Sequence, residues 1–392
     1  MLNIFLLGLV SFFSDLSSEM VYPLIPLYLT GTFGATPALV GVIEGIAESA
    51  ASLLKVFSGY VTDRYRHKKP VAFFGYSTGL VYKFALILAS SWVGVLAARV
   101  IDRIGKGVRT APRDVLVGES AAGGKMGSAF GLHKALDMAG SAAGIIIAYF
   151  LVAGAFGSFT YKNIFAVSAV PAVIGLVALL FVKEKKGPRE VKNREPFWKK
   201  LKSIDRNLKL YLLVAFIFTL GNSSNTFLLL RAKSVGFTDT NVVLLYFVYN
   251  LAAALLSIPF GRLSDRIGRK TVLVGGYLAF AAVYLGFAFA KNSGTIIAVF
   301  VLYGFYTAMT AGAERALITE ISPPDLKGTM LGLQATIVGV ALLPASVIAG
   351  LLWNLLGAPA PFIFGSALSL TAAVMLMVLF SSGHMKNNES VE

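Results

Sequence analysis

The chain has 392 residues, 56% of them hydrophobic and 14% charged, with no cysteine; a soluble domain is about 25% charged. This composition excludes a soluble globular protein, and the absence of cysteine excludes disulfides and thiolate metal centres. A formal net charge of +15 would point to nucleic acid in a soluble chain, but in one this apolar it fits lysines and arginines gathered on loops at one membrane face, so no nucleic-acid partner is expected.

Mean hydropathy is +0.73, and runs of about 20 apolar residues, each able to cross a hydrocarbon core, recur along the chain. Twelve spans are predicted, at 4–30, 38–60, 71–90, 92–117, 128–153, 162–182, 209–231, 240–262, 271–290, 295–318, 328–353 and 359–380. The opening MLNIFLLGLV has no basic n-region and no small-residue cleavage site, so it reads as an uncleaved first span. Charged residues on alternate connections differ in number and sign. One side carries RYRHKK (64–69), Lys125, the long segment 183–209, GRK (268–270) and Lys327; the other has only Lys162, Arg231, Lys233, Asp239 and Lys291. The first side, with both termini, is therefore expected to be cytoplasmic.

Span 1 reads SFFSDLSSEMVYPLIP and places Ser11, Asp15, Ser18, Glu19 and Tyr22 on one helical face. Span 2 carries Glu44, Glu48 and Lys55 on one face. Carboxyls at mid-span are costly to ionise, and one that exchanges a proton near neutral pH can couple proton flow to a conformational switch. Span 4 is the most unusual. Between Arg99 and Glu119 it carries Arg99, Asp102, Arg103, Lys106, Arg109, Arg113 and Asp114, which fall within an arc of about 140° on a helix. Charges at membrane depth should face a bundle interior or a wet cavity, so this helix is expected to wall a pathway.

Within span 4, an i, i+4 pair of Asp102 with Lys106 is expected, and Arg99 has Glu19, Glu44 or Glu48 within choice. Arg103, between these groups, is the base best placed to meet a substrate anion or a titrating carboxylate. Arg113 and Asp114, beside Pro112, are assigned to the cytoplasmic end.

The segment 183–209 is the only long connection and divides the spans six and six. The second half is chemically milder. Span 7 offers Asn222, Ser223, Ser224 and Asn225 where span 1 has its acids; Asn250 stands in place of Glu48; Tyr303, Thr307 and Thr310 replace the charges of span 4. Yet the halves repeat. GYVTDRYRHKK begins at Gly59 and GRLSDRIGRK at Gly261, 202 residues on, while Glu119 and Glu320 match at an offset of 201. Such duplication is a transporter architecture with its site at the interface between the halves.

These residues carry a resemblance. G-x-x-x-D-R-x-G-R-K between spans 8 and 9, echoed by G-x-x-x-D-R between spans 2 and 3, resembles the loop signature of the major facilitator superfamily, and Arg99, Gly105 and Gly107 in span 4 look like its second motif. The resemblance covers the whole chain and points towards bacterial or archaeal drug or metabolite efflux members. In span 5, KALDMAGSAAG keeps Gly140 and Gly144 but lacks the proline expected of the family's antiporters.

What the resemblance implies is an all-α membrane protein of twelve transmembrane helices in two pseudo-symmetric six-helix bundles. Residues 1–185 and 208–382 would form the bundles, 186–207 a cytoplasmic linker and 383–392 a cytoplasmic tail. It further implies a charge latch at the cytoplasmic gate, built from Gly59, Asp63, Arg64 and Glu119 and from Gly261, Asp265, Arg266 and Glu320, with Glu119 and Glu320 facing the arginines.

The expected activity is secondary active transport: proton-coupled export of a small organic molecule by alternating access, an antiport. The alternative is a transporter or exchanger of anionic metabolites that uses the basic face of span 4. A non-transporting receptor or lipid-handling protein is a third class. Asp15, Glu19, Glu44, Glu48 and Arg99 are the proton-coupling candidates. Arg103, Lys106, Arg109, Asn222, Asn225, Tyr246, Asn250 and Tyr303 are the substrate-cavity candidates. The histidines are scattered, with no metal-ligand cluster, no Ser-His-Asp set and no Walker loop, so no cofactor, metal or enzymatic activity is expected. The expected setting is the cell (inner) membrane, and the expected partners are a small-molecule substrate, protons and the bilayer around a monomer.

Overall fold

The computed structural model describes residues 2–64, 68–120, 126–184, 206–322 and 327–381, and among them it is helical with no sheet. The linker, most of the basic loop after span 2 and the tail lie outside the described residues, as do the side chains of Lys55, Gly59, Asp63 and Arg64. The first seven helices are α1 (Leu2–Glu19), α2 (Ile25–Phe33), α3 (Pro37–Arg64), α4 (Lys68–Leu88), α5 (Trp92–Ser120), α6 (Met126–Val152) and α7 (Tyr161–Phe181). After the linker come α8 (Arg206–Gly221), α9 (Thr226–Ser234), α10 (Asp239–Ile267), α11 (Arg269–Phe289), α12 (Ser293–Ile321), α13 (Lys327–Leu356) and α14 (Ala360–Ser381). With α1–α2 and α8–α9 each taken as one span, these make the twelve expected spans. Eleven are long and apolar enough to cross a membrane by length and composition. The twelfth, α5, has 29 residues and the charges already described.

Spans 1 and 7 are not the continuous helices that their hydropathy predicts. After Glu19 the chain makes a single 3-10 turn, Tyr22–Leu24, before α2 begins at Ile25. Pro23 and Pro26 cannot donate to the preceding turn, so the hydrogen-bond ladder stops there. Span 7 breaks at 222–225, in Asn-Ser-Ser-Asn, at the corresponding place 202 residues on. Short polar side chains that compete for backbone groups replace proline as the cause. Paired interruptions in duplicated halves mark candidate binding sites.

The described chain divides into two compact units. One is 1–191 with 225–247; the other is 192–224 with 248–392. The hairpin of α9 and the start of α10 thus groups with the first unit, where α9 packs on α2 and α3. Asp239, at the start of α10, accepts from the Tyr161 phenol of α7 and pairs with Lys233.

In the first unit α1 packs on α6 and α7, and α4 lies between α5 and α7; in the second α8 packs on α13 and α14, and α11 lies between α12 and α14. The duplication seen in the sequence is therefore a repeated packing order. Ile4, Leu7 and Val10 of α1 meet Ala72 and Tyr76 of α4 and Leu116 and Val117 of α5 in one buried apolar cluster. Gly107 brings α5 close to α3, where a Cβ would stand 3.0 Å from the Ala51 carbonyl oxygen. The signature glycine Gly268 holds φ +91° as the single residue between α10 and α11, a conformation that side chains with a Cβ resist.

Candidate functional site: a charged cavity in the first unit

The ionic face of α5 turns inward, as the cost of exposing charge to lipid requires. Arg99, Asp102, Arg103 and Arg109 are buried. Arg99 forks onto Glu44 of α3, Nε to Oε1 at 2.9 Å and Nη2 to Oε2 at 2.6 Å. One turn on, the Arg103 guanidinium reaches Glu48 at 2.8 Å. The i, i+4 spacing of the two glutamates thus meets the i, i+4 spacing of the two arginines. Both guanidinium groups lie against the Tyr22 ring, 5.4 and 5.6 Å from its centre.

Asp102 does not pair with Lys106. It stands between Arg99, at 3.8 Å, and Arg103, at 3.9 Å. Two resonance-spread cations outcompete one mobile lysine for it.

A second cluster joins α1, α5 and α6. Buried serines on α1 place hydroxyls one turn apart. Ser11 donates to Asp137 at 2.8 Å, Ser14 accepts from Arg109 at 2.6 Å, and Ser17 donates to the Ser168 carbonyl. Asp137 also accepts from Lys134 at 2.7 Å, and Asp15 lies 3.9 Å from Arg109. Asp15 and Asp137 both line the same cavity, each beside a base of its own.

These two clusters wall a cavity of about 300 Å³ whose lining runs from Asp15, Ser18, Glu19 and Tyr22 on span 1 to Glu48, to Lys106 and Arg109 on α5, and to Tyr246 on α10. Glu19 accepts from the Tyr246 phenol at 3.0 Å, and the Tyr22 and Tyr246 rings lie 5.6 Å apart. Among the coupling candidates, Asp15, Glu19, Glu48 and Arg99 therefore meet on one wall, with Glu44 buried behind Arg99.

The other cavity candidates are placed elsewhere. In the second unit Asn222 donates to the Tyr306 phenol at 3.0 Å. Tyr303 is buried among Tyr249, Tyr306 and Phe287. Asn225 belongs to the first unit and Asn250 to the second, and neither lines the charged cavity. Asp137 and Lys134 stand on the wall although the sequence reading did not select them as site residues. Their signal was available: Lys134, Asp137, Gly140 and Gly144 lie on one helical face, and both glycines touch the α1 backbone.

At the far end of α5 the ion pairs differ from those expected. Glu119 pairs with Lys68 at the start of α4, and Glu320 pairs with Arg269 at the start of α11, at 2.8 Å. The two pairs repeat at the same offset of 201. Arg266 is exposed and makes no ion pair among the described residues, while Asp265 reaches Arg269 at 3.7 Å. Lys68 and Arg269, each in the first turn of the helix after the repeated loop, reach these acids, while Arg266 lies exposed in the last turn of its own helix. Arg113 turns back onto Asp114 at 2.9 Å. Among the described residues no three His, Cys, Asp or Glu side chains are grouped to hold a metal ion.

Comparison with known proteins finds the Major Facilitator Superfamily model matching residues 7–231 and 210–390. The chain is 37% identical over 383 residues to the uncharacterized MFS-type transporter MJ1317 of Methanocaldococcus jannaschii, covering 96% of this chain and 94% of that one. It is 26% identical over 147 residues to the quinolone resistance protein NorA of Staphylococcus aureus, covering 38% of each. Among solved structures, that of the nucleoside transporter NupG overlays with a TM-score of 0.79 at 13% identity, covering 98% of this chain and 100% of that one.

Proposed function

Because the chain belongs to the Major Facilitator Superfamily, and so is a multi-pass membrane transporter, we propose that it couples proton movement to the export of a small organic molecule by alternating access. The observation that carries this reading is that the carboxyls of Asp15 and Asp137 both stand on the cavity wall, each beside a base. Two carboxyl groups on the wall of one water-accessible cavity at membrane depth can take up and release a proton between them. Ser11, Arg109 and Lys134 hold the pair in place, and its position on the cavity gives water a route to it. Losing or gaining that proton changes the charge facing Arg109, and with it the balance of the α1–α5–α6 cluster. Export is taken as the direction from the resemblance to efflux members, and a 147-residue stretch is shared with a protein named for quinolone resistance.

Asp15→Asn removes the shared proton while keeping the shape. In proteoliposomes with an internal pH dye, and with a substrate found by thermal-shift screening, the variant should exchange substrate but no longer concentrate it against a gradient. Accumulation by Asp15→Asn at the wild-type level would reduce Asp15 to a structural partner of Arg109.

The alternative, an anion carried on the basic face of α5, has fewer groups behind it. Arg99 and Arg103 are held by Glu44 and Glu48, and Arg109 by Ser14 and Asp15. We place the protein in the cell membrane with both termini cytoplasmic, following the basic loops. A single cysteine at Lys291 should then react with an impermeant maleimide in intact cells, and one at Glu184 should not; the reverse pattern would invert the topology.

A further inference from the structure

We propose that the cavity of the first unit recognises a small zwitterion, its anionic group on Lys106 and its cationic group on Glu19. The inference rests on the transport reading only in taking this cavity as the place a substrate enters.

The argument comes from pairing the charges on the wall. Arg99 is forked onto Glu44, and Arg103 is paired with Glu48. Asp102 is shared by the same two arginines. Arg109 is held by Ser14 and stands beside Asp15, and Lys134 holds Asp137. Two lining charges are left over among the described residues, one of each sign. Lys106 is exposed to the cavity and makes no hydrogen bond or ion pair through its ammonium. Glu19 accepts from the neutral Tyr246 phenol and pairs with no cation. No hydrogen bond or ion pair joins the two to each other.

A ligand bearing one charge would satisfy one of these groups and leave the other facing it with the wrong sign or none. A ligand bearing both satisfies the two at once, with charge-assisted contacts at each end. The Tyr246 side chain, whose hydroxyl meets Glu19, lines the same cavity and adds an aromatic ring close to where an ammonium would sit. A volume of about 300 Å³ lies at the small end of ligand pockets, which run from about 300 to 1,000 Å³. The ionic walls are poor surroundings for an apolar molecule of the same size.

The test is equilibrium binding to the purified full-length protein in nanodiscs, with no gradient across the membrane. The probes are straight-chain amino acids from glycine through β-alanine and γ-aminobutyrate to δ-aminovalerate, which step the distance between the charges. Butyrate and butylamine are the single-charge controls for γ-aminobutyrate. At least one zwitterion should bind, and more tightly than both of its single-charge analogues by roughly tenfold or more. Lys106→Gln and Glu19→Gln should each weaken it by roughly 10- to 100-fold, while Lys106→Arg keeps binding. Lys106 has no partner to lose, and the amide oxygen introduced by Glu19→Gln can still accept from Tyr246, so both variants are expected to fold.

The proposal is overturned if no member of the series binds, if a single-charge analogue binds as tightly as its zwitterion, or if Lys106→Gln keeps wild-type affinity. Binding without a gradient does not depend on proton coupling or direction. A loss of zwitterion binding alongside intact proton-driven transport of another molecule would sink this inference alone, and binding without coupling would sink only the transport mechanism.

Discussion

Glu44→Ala is expected to destabilise the protein by about 3–5 kcal/mol. Glu44 and Arg99 are both about 1% exposed, and the fork between them is complete, at 2.9 and 2.6 Å. Removing the carboxylate leaves a guanidinium at membrane depth, and a guanidinium cannot shed its proton. Asp102 at 3.8 Å is already shared with Arg103 and cannot replace the lost fork. The companion variant distinguishes the pair from its parts: Arg99→Met with Glu44→Leu removes both charges together and should recover most of the loss, because a buried ion pair is weak support relative to apolar packing. Melting temperatures of the purified variants read both effects. A Glu44→Ala protein that melts with the wild type would mean that water reaches Arg99.

Gly140→Val should be as damaging by a different route. Gly140 and Gly144 lie one turn apart on α6 and meet the backbone of α1 at Phe12 and Leu16, also one turn apart. A Cβ at Gly140 would stand 2.8 Å from the Phe12 Cα, and one at Gly144 would stand 3.0 Å from the Leu16 Cα. The obstacle is backbone, so no rotamer change relieves it. Overpacking costs about 1–3 kcal/mol when side chains can shift, and here the helices themselves must part. Parting them also pulls Asp137 away from Ser11, so transport should fall even in molecules that still fold. Gly131 on the same helix has nothing within 4 Å of an added Cβ, and Gly131→Ala is the control expected to be harmless. Folded yield by size-exclusion chromatography and transport by the surviving fraction would measure the two effects; a well-folded, fully active Gly140→Val would show that α1 and α6 do not rely on this contact.

The missing proline of span 5 takes on a meaning here. The motif positions that remain, Gly140 and Gly144, are those that touch α1. Close approach of two helices needs small residues one turn apart and does not need a kink. The same face then carries Asp137 and Lys134 to the cavity.

Composition and pattern by themselves determined a great deal about this protein. Hydropathy decided eleven of the twelve spans, because an apolar run of about 20 residues is stable when it crosses a hydrocarbon core. The 202-residue repeat decided that packing in the halves would follow one order. The charged stripe of α5 decided that this helix would face inward, because lipid excludes charge from its other faces. What only the tertiary structure decided was partnership. Seven charges within one helical arc can pair in many ways, and helical spacing favours Asp102 with Lys106. Neighbouring helices overrule that spacing: α3 supplies glutamates in register with two arginines, α6 brings Asp137 to the wall that Asp15 lines, and Lys106 makes no ion pair among the described residues. The arginine of the repeated loop loses Glu320 to Arg269 for the same reason. A pairing depends on which side chains converge, and convergence of residues many tens of positions apart is set by helix packing, which sequence spacing within one helix does not encode.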